Sequence, residues 1–226
     1  MILAINSSTA RYSVALMTLK GVIIAEYMVI PKKNTFTGFF PAIDMLMESS
    51  GTEIDSIRVV AVSTGPGSFT GLRVGLAAAK GIAYSMNIPL IGVSGIEALA
   101  SSVPYSDVPV CAMISSRRDE VFYAFFRRGN DGRLIRQSDD RSLKIKELGA
   151  LISSPTLLAG NDFEKQYALI RESGNEHIIY ARRDHWNLRA SSVGILGLRR
   201  FHSNDFDSVM DIVPDYRRPP DIRPGK

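Results

Sequence analysis

One order of apolar runs occurs twice along this 226-residue chain, and that duplication restricts the fold more than any other feature. From the start, "MILAIN" reads as a short buried strand, "YSVALMTL" as a second and "VIIAEYMVI" as a third, with Lys20-Gly21 as a tight turn. A helical pattern follows from about Thr37 to Ser50, then a strand from Ile57 to Ser63, a helix from about Thr70 to Met86, a short strand from Pro89 to Ile91 and a helix from Ser94. The second half repeats this order. "VPVCAMISS" and "EVFYAFF" are strands, Gly129-Asn130-Asp131-Gly132 a turn, and "RLIRQS" a third strand. A helical stretch from Leu143 to Ile152, strand "TLLAG", a helix from Phe163 to Glu172, strand "HIIYA" and a helix from about Leu188 to Phe201 complete it. Three strands, helix, strand, helix, strand, helix, read twice, predict an α/β chain of two weakly similar lobes, residues 1–103 and 108–208. "SSVPYSDVP" has the composition of the linker between them. The tail, residues 209–226, is rich in Pro and Arg beyond Asp211, and its end is expected to be mobile.

With 45% hydrophobic residues the chain can bury a proper core. The apolar start is interrupted at Asn6-Ser7-Ser8-Thr9 and no basic region precedes it, so neither a secretion signal nor a membrane span is expected, and the cytoplasm is the expected compartment. The single cysteine, Cys111, lies in the apolar run "VPVCAMI" and reads as a buried, inert thiol. Net charge is +4, and the excess comes as pairs such as Arg117-Arg118 and Arg217-Arg218. Such pairs suit either a solvated surface or sequence-blind contact with RNA phosphates, and Arg117, Arg118, Arg217 and Arg218 are the candidates for RNA contact.

Gly65-Pro66-Gly67 follows an apolar strand and makes a tight turn, after which Ser68 or Thr70 caps a helix. Free amides at that end could hold an anion, with Ser7, Ser8, Thr9, Gly65, Gly67 and Ser68 as candidate anion or nucleotide contacts. The spacing matches no established fingerprint. A dinucleotide loop needs glycine where Thr70 stands, no Lys-Ser or Lys-Thr pair follows at phosphate-loop distance, and a nucleophile elbow lacks its first glycine. A structural strand-to-helix turn is the alternative reading.

The helix after the loop carries a bare ridge of Gly71, Gly75, Ala79 and Ala83, flanked by Leu72 and Leu76, and from Gly71 to Met86 only Arg73 and Lys80 are charged. A helix apolar nearly all round must be covered on more than one side. The preceding helical segment adds Phe36, Phe39, Phe40, Ile43, Leu46 and Met47 at helical spacing opposite Asp44 and Glu48, with Pro41 at a tolerated first-turn position. Either all of these pack inward or some face a partner. The expected partner interface is Phe36, Phe39, Phe40, Ile43, Met47, Gly71, Leu72, Gly75, Leu76 and Ala79.

"STGPGSFTGLRVGLAAAKGIAYSMNIPLIGVSGIEALA", with "ILAINSST" before it and "SSRRDEVFYAFF" and "VPDYRR" after it, resembles the TsaB (YeaZ) family, the non-catalytic partners in bacterial tRNA threonylcarbamoyladenosine synthesis. The resemblance is strongest from Gly65 to Ala100 and weak from Arg133 to Ser208. It implies an actin-like (ASKHA, ribonuclease H-like) fold of two lobes. It also implies a scaffold that binds and activates the transferase TsaD through its first lobe, with the ATPase TsaE joining the complex, tRNA reached through the complex, and a homodimer where TsaD is absent. No cofactor, no metal and no catalytic residue are implied for this chain. TsaD carries metal-binding histidines in a V-N-H-x-x-x-H stretch; here Gly95 and Leu99 stand in those places, and neither side chain donates an electron pair. His177, His185 and His202 have no paired ligand spacing. Three positions depart from the family: Asn6-Ser7-Ser8 replaces Asp-Thr-Ser, Thr35-Phe36 replaces His-Ser, and Ser115-Ser116 replaces Asp-Ala. The opposing readings are an ASKHA-type enzyme, a phosphotransferase or a glycoprotease-like peptidase, and a free-standing homodimeric interaction protein.

Overall fold

The structure, a computed structural model, describes residues 1–31, 36–117 and 119–217. β1 (Ile2–Asn6) is buried along its whole length, and β2 (Tyr12–Met17) and β3 (Ile23–Val29) fold back on it as an antiparallel meander. Gly21, at φ 86°, makes the turn into β3. α1 (Phe39–Ser50) begins two residues before Pro41, whose missing amide falls in the first turn, where amides have no intrahelical acceptor. β4 (Val59–Gly65) runs parallel to β1, α2 (Phe69–Met86) is capped by the Ser68 side chain, and β5 (Leu90–Ser94) lies parallel to β4. α3 (Gly95–Ser101) starts on Ser94, whose hydroxyl accepts from the Glu97 amide.

The second half builds β6 (Val110–Ser115), β7 (Glu120–Arg128), β8 (Leu134–Arg136), β9 (Arg141–Lys144), β10 (Thr156–Ala159), α4 (Phe163–Arg171), β11 (Ile178–Tyr180) and α5 (Ala190–His202). The first sheet has the order β3-β2-β1-β4-β5 and the second β11-β10-β6-β7-β8. Read in the opposite direction, the second sheet is again third, second, first, fourth, fifth, with antiparallel pairs in the meander and parallel pairs beyond it. This is the actin-like fold of two similar lobes. β9 is the departure: the helical stretch expected from Leu143 is a strand on β7 followed by a 3-10 segment, Ile145–Leu151. Arg-Ser-Leu-Lys carries no strand pattern, and only the edge that β7 leaves open beyond β8 decides its pairing.

α5 follows the second sheet in sequence but packs mainly on the first, which corrects a division of the lobes at 108–208. Two glycines let it approach: Gly194 lies against Met17 and Ala4, and Gly197 against Ala61. Alternate residues of β1 therefore serve two cores. Leu3 and Ile5 face α1 and α2, whereas Ile2 joins a larger core that runs with Met17 and Ala61 through α3 and α5 to the second sheet. The two lobes share that core.

Candidate functional site

Both lobes present the turn after their first strand, and the start of a helix, to a cleft of about 550 Å³. Ser8, Thr9 and Arg11 come from the β1–β2 turn and Ser115 and Ser116 from the β6–β7 turn. Asn6, fully buried at the end of β1, organises the first of these. Its carboxamide oxygen accepts from the Ser8 amide at 3.1 Å and the Ser8 hydroxyl at 2.8 Å, and its NH2 group donates to the Leu188 carbonyl at 2.9 Å. A carboxylate could not make the last bond. Where the family that the sequence resembles has Asp, this chain has a neutral brace between the end of β1 and the segment before α5.

The second lobe has its own neutral brace. The Gln166 side chain, 1% exposed, accepts from the Asn161 and Asp162 amides at 3.1 and 3.0 Å and donates to Ser115 Oγ at 3.2 Å and Asn161 Oδ1 at 3.0 Å. No pattern in the sequence marks Gln166 or Asn161, because the Ser115 that both of them hold lies 51 and 46 residues away in β6. Among the described residues no group of three or more His, Cys, Asp or Glu is placed to hold a metal ion.

The candidate anion contacts divide in this geometry. Ser8, Thr9 and Ser68 line the cleft. The Ser7 hydroxyl instead donates to the Gly71 carbonyl at 2.7 Å, and Gly65 and Gly67 hold the turn against other backbone: a Cβ on Gly67 would overlap the Ser8 carbonyl. Ser68 accepts from the Gly71 amide as the α2 cap. The loop is thus first a structural turn, locked by the Ser68 amide on the Ser8 carbonyl at 2.7 Å.

The ridge of small residues on α2 faces inward, correcting its expected role as a partner surface. A Cβ on Gly71 would overlap the Ser7 carbonyl, and one on Gly75 the Ser7 hydroxyl. Leu72, Leu76, Ala79, Phe39 and Ile43 are likewise buried, and Phe36 and Met47 pack half-buried against the same core. The ridge is bare because the Ser7-Ser8 turn must lie directly on the helix. Of the ten expected interface residues, only Phe40 is exposed, at 57%. The outward faces are Phe40 and Met45 on α1 and Ala77, Gly81 and Tyr84 on α2, with Tyr84 72% exposed and open space above Gly81.

As far as residue 217 the tail docks on the first lobe, and its end, expected to be mobile, lies outside the described residues. Asp207 pairs with Leu90 at the edge of β5, its carboxylate accepting from the Gly92 amide at 2.7 Å and from Arg200 at 2.9 Å. Lys80 donates to the Met210 carbonyl, the Asp215 amide to the Thr64 carbonyl, and Arg73 to the Tyr216 hydroxyl, with the Tyr216 ring 5.0 Å from Phe69. Arg217, expected to meet RNA, pairs with Asp215 at 2.7 Å and Asp140 at 3.7 Å. Arg117 lies in the β6–β7 turn, its carbonyl accepting from the Glu120 amide. Arg118, Arg218 and Thr35 lie outside the described residues.

A family model described as TsaD, tRNA N6-adenosine threonylcarbamoyltransferase, matches residues 32–170. The "tRNA threonylcarbamoyladenosine biosynthesis protein TsaB" of Bacillus subtilis is 29% identical, with 96% of this chain and 93% of that protein aligned. The protein of that description from Escherichia coli is 31% identical, with 76% of each aligned. The chain belongs to the TsaB (YeaZ) family. A solved structure titled YeaZ from Pseudomonas aeruginosa superposes with a TM-score of 0.75 at 19% identity, covering 95% of this chain and 98% of that one, and shares its fold.

Membership of the TsaB family gives Gly95 and Leu99 their meaning. The space beside Gly95 is occupied by Ser63, Leu188 and Ile114, with a Cβ meeting them at 3.0–3.3 Å, so a histidine has no room there. Leu99 is fully buried in the shared core. His202 is spent on the Leu19 carbonyl at 3.0 Å. Cys111 is fully buried, and desolvation pushes its thiol pKa far up, the setting of an inert packing group. Among the described residues no helix is long and apolar enough to cross a membrane.

Proposed function

We propose that this chain is the non-catalytic subunit of tRNA threonylcarbamoyladenosine synthesis and that it docks and activates a TsaD transferase through the outward faces of α1 and α2. The observation that carries the reading is the solvent side of those helices. Phe40, Met45 and Tyr84 are large, apolar and 54–72% exposed, and the small, exposed Ala77 and Gly81 leave α2 open to close approach by another helix. The neutral Asn6 and the filled space at Gly95 support a role without metal chemistry in this chain. In the same reading TsaE joins the assembled complex, tRNA is reached through the transferase, and a second copy covers the face when the transferase is absent.

The test is sedimentation of the purified chain, alone and with the TsaD of the same cell. Gly81→Leu and Phe40→Ala should each weaken the heterodimer about tenfold or more while leaving circular dichroism unchanged, because a misfit or lost anchor in a packed contact costs about 1–3 kcal/mol. Normal association by both folded variants would place the docking site elsewhere.

A further inference from the structure

One edge of the second sheet is a ribbon of β7 with β8 and β9, which run back along it one after the other. Residues 127–146 of that ribbon hold seven Lys and Arg against three Asp, a net charge of +4 that equals the net charge of the whole chain. The pleat divides these cations between two faces. Arg128 donates to the Val103 carbonyl at 2.6 Å and Arg136 to the Ser94 hydroxyl at 3.2 Å, so their face is turned to the first lobe and its guanidinium groups are engaged there. Phe125 and Arg127 alternate onto the opposite face. The register sets Ile135 beside Arg127 and Arg141 beside Tyr123 on that same face. Arg127 and Arg141 are exposed, and among the described residues neither side chain has a hydrogen bond, an ion pair or a ring contact. The doublet Arg127-Arg128 therefore has one structural member and one available to a partner. The acids of the segment do not cancel this. Asp140, with a side chain 3% exposed, pairs with Arg136 and Arg217, Asp131 pairs with Arg133 at 3.4 Å, and Asp139 is exposed in the irregular stretch between β8 and β9.

We infer that the outward face of this ribbon binds the phosphate backbone of RNA, with Arg127 and Arg141 as the contacting cations. Four residues of β7 separate their positions, about 13 Å along the strand, a length over which a nucleic acid presents several phosphates. A guanidinium without a protein partner meets phosphate oxygens in matching geometry, and such contacts carry no sequence information. An acidic membrane surface is disfavoured, because it also needs apolar anchors and Ile135, 50% exposed, is the one large apolar side chain standing well out of this face. The choice of RNA as the polyanion rests on the reading of this chain as a tRNA-modification subunit. The ribbon itself is on the other lobe from the docking face of α1 and α2, so a docked transferase and a contact between this chain and RNA are compatible.

The experiment is fluorescence-anisotropy titration of unmodified tRNA with the full chain, alone and with TsaD, at salt concentrations of about 50–200 mM. The chain alone should bind with a Kd of about 10⁻⁴–10⁻⁶ M that weakens steeply as salt rises. The double variant Arg127→Gln, Arg141→Gln should weaken binding about tenfold and reduce the slope of log K against log salt by about 1.4–1.8, whereas Arg127→Lys, Arg141→Lys should retain most of both. Lys20→Gln, Arg199→Gln removes the same charge from exposed positions on the first lobe and should change neither. Melting temperatures of the variants check that they are folded. Absence of salt-dependent tRNA binding by the chain alone, or equal weakening by the two Gln double variants, would overturn the inference. Uptake by phosphatidylserine vesicles without binding to tRNA would also overturn it, in favour of a membrane surface. Sedimentation with TsaD should be unchanged by the ribbon variants; failure of the unmodified chain to form that heterodimer would count against the docking reading and not against the tRNA titration of the chain alone.

Discussion

Two glycines of α2, six positions apart in one helix, should respond to alanine with opposite sign. At Gly75 the new methyl would overlap the Ser7 hydroxyl and stand 3.2 Å from Ser7 Cβ and 3.4 Å from Ile5 Cγ2. Ser7 cannot rotate away at no cost, because its hydroxyl donates to the Gly71 carbonyl at 2.7 Å in a buried site. Overpacking of this kind costs about 1–3 kcal/mol, and loss of a buried hydrogen bond about 1 kcal/mol more. Gly75→Ala should therefore destabilise by about 2–4 kcal/mol, lowering the melting temperature by about 4–16 °C for a chain of this size. At Gly81 a Cβ meets nothing within 4 Å, and the residue is helical and exposed. Gly81→Ala should stabilise by about 0.5–1 kcal/mol, through helix propensity alone. Urea denaturation and scanning calorimetry on both variants measure the difference. Adding Ser7→Ala to Gly75→Ala removes the colliding hydroxyl and should recover part of the loss, a coupling that a double-mutant cycle reads directly. Equal effects at the two glycines, or a neutral Gly75→Ala with no coupling to Ser7, would refute the inward orientation of the ridge.

Asn6→Asp would set a carboxylate oxygen against the Leu188 carbonyl in a fully buried site and should destabilise at neutral pH by at least about 2 kcal/mol. Its folded-state pKa would be raised, so the deficit should shrink as pH falls through that raised value, level off below the ordinary carboxylate range, and grow as pH rises between the two, a trend that urea midpoints at several pH values measure. Asp205 has the opposite sign: the Arg200 hydrogen bond lowers its pKa, so its contribution is present above the ordinary carboxylate range and is lost as pH falls through the lowered value. Asp205→Asn should remove that acid-side slope, again read from urea midpoints. Tyr216→Ala should free the end of the tail from Phe69 and Arg73, so limited proteolysis should cut within residues 208–217 faster while the melting temperature changes little.

The order of elements was legible because strand and helix periodicity are local properties. "MILAIN", "YSVALMTL" and the Thr70-to-Met86 helix appear within a residue or two of their observed bounds, and the duplicated order corresponds to two sheets of one topology. The inert Cys111 was equally legible, since a lone cysteine inside a run of apolar residues has little alternative to burial. β9 was not, because a polar four-residue segment becomes a strand only where a neighbour offers a free edge.

The sequence by itself determined that α2 is a helix with one bare ridge and an almost uncharged surface. It could not say which side of that helix the sheet would claim. A bare ridge is needed equally for packing on a partner and for packing on the chain's own Ser7-Ser8 turn, and only the tertiary structure, with Ser7 and Gly71 bonded across 64 residues of sequence, decided between them. The docked tail, the pairing of Arg217 with Asp140, and the neutral braces of Asn6 on Leu188 and Gln166 on Ser115 were decided in the same way. A hydrogen bond between residues 51 or 182 positions apart leaves no periodicity in either segment, and it exists only once the packed elements have brought its two ends together.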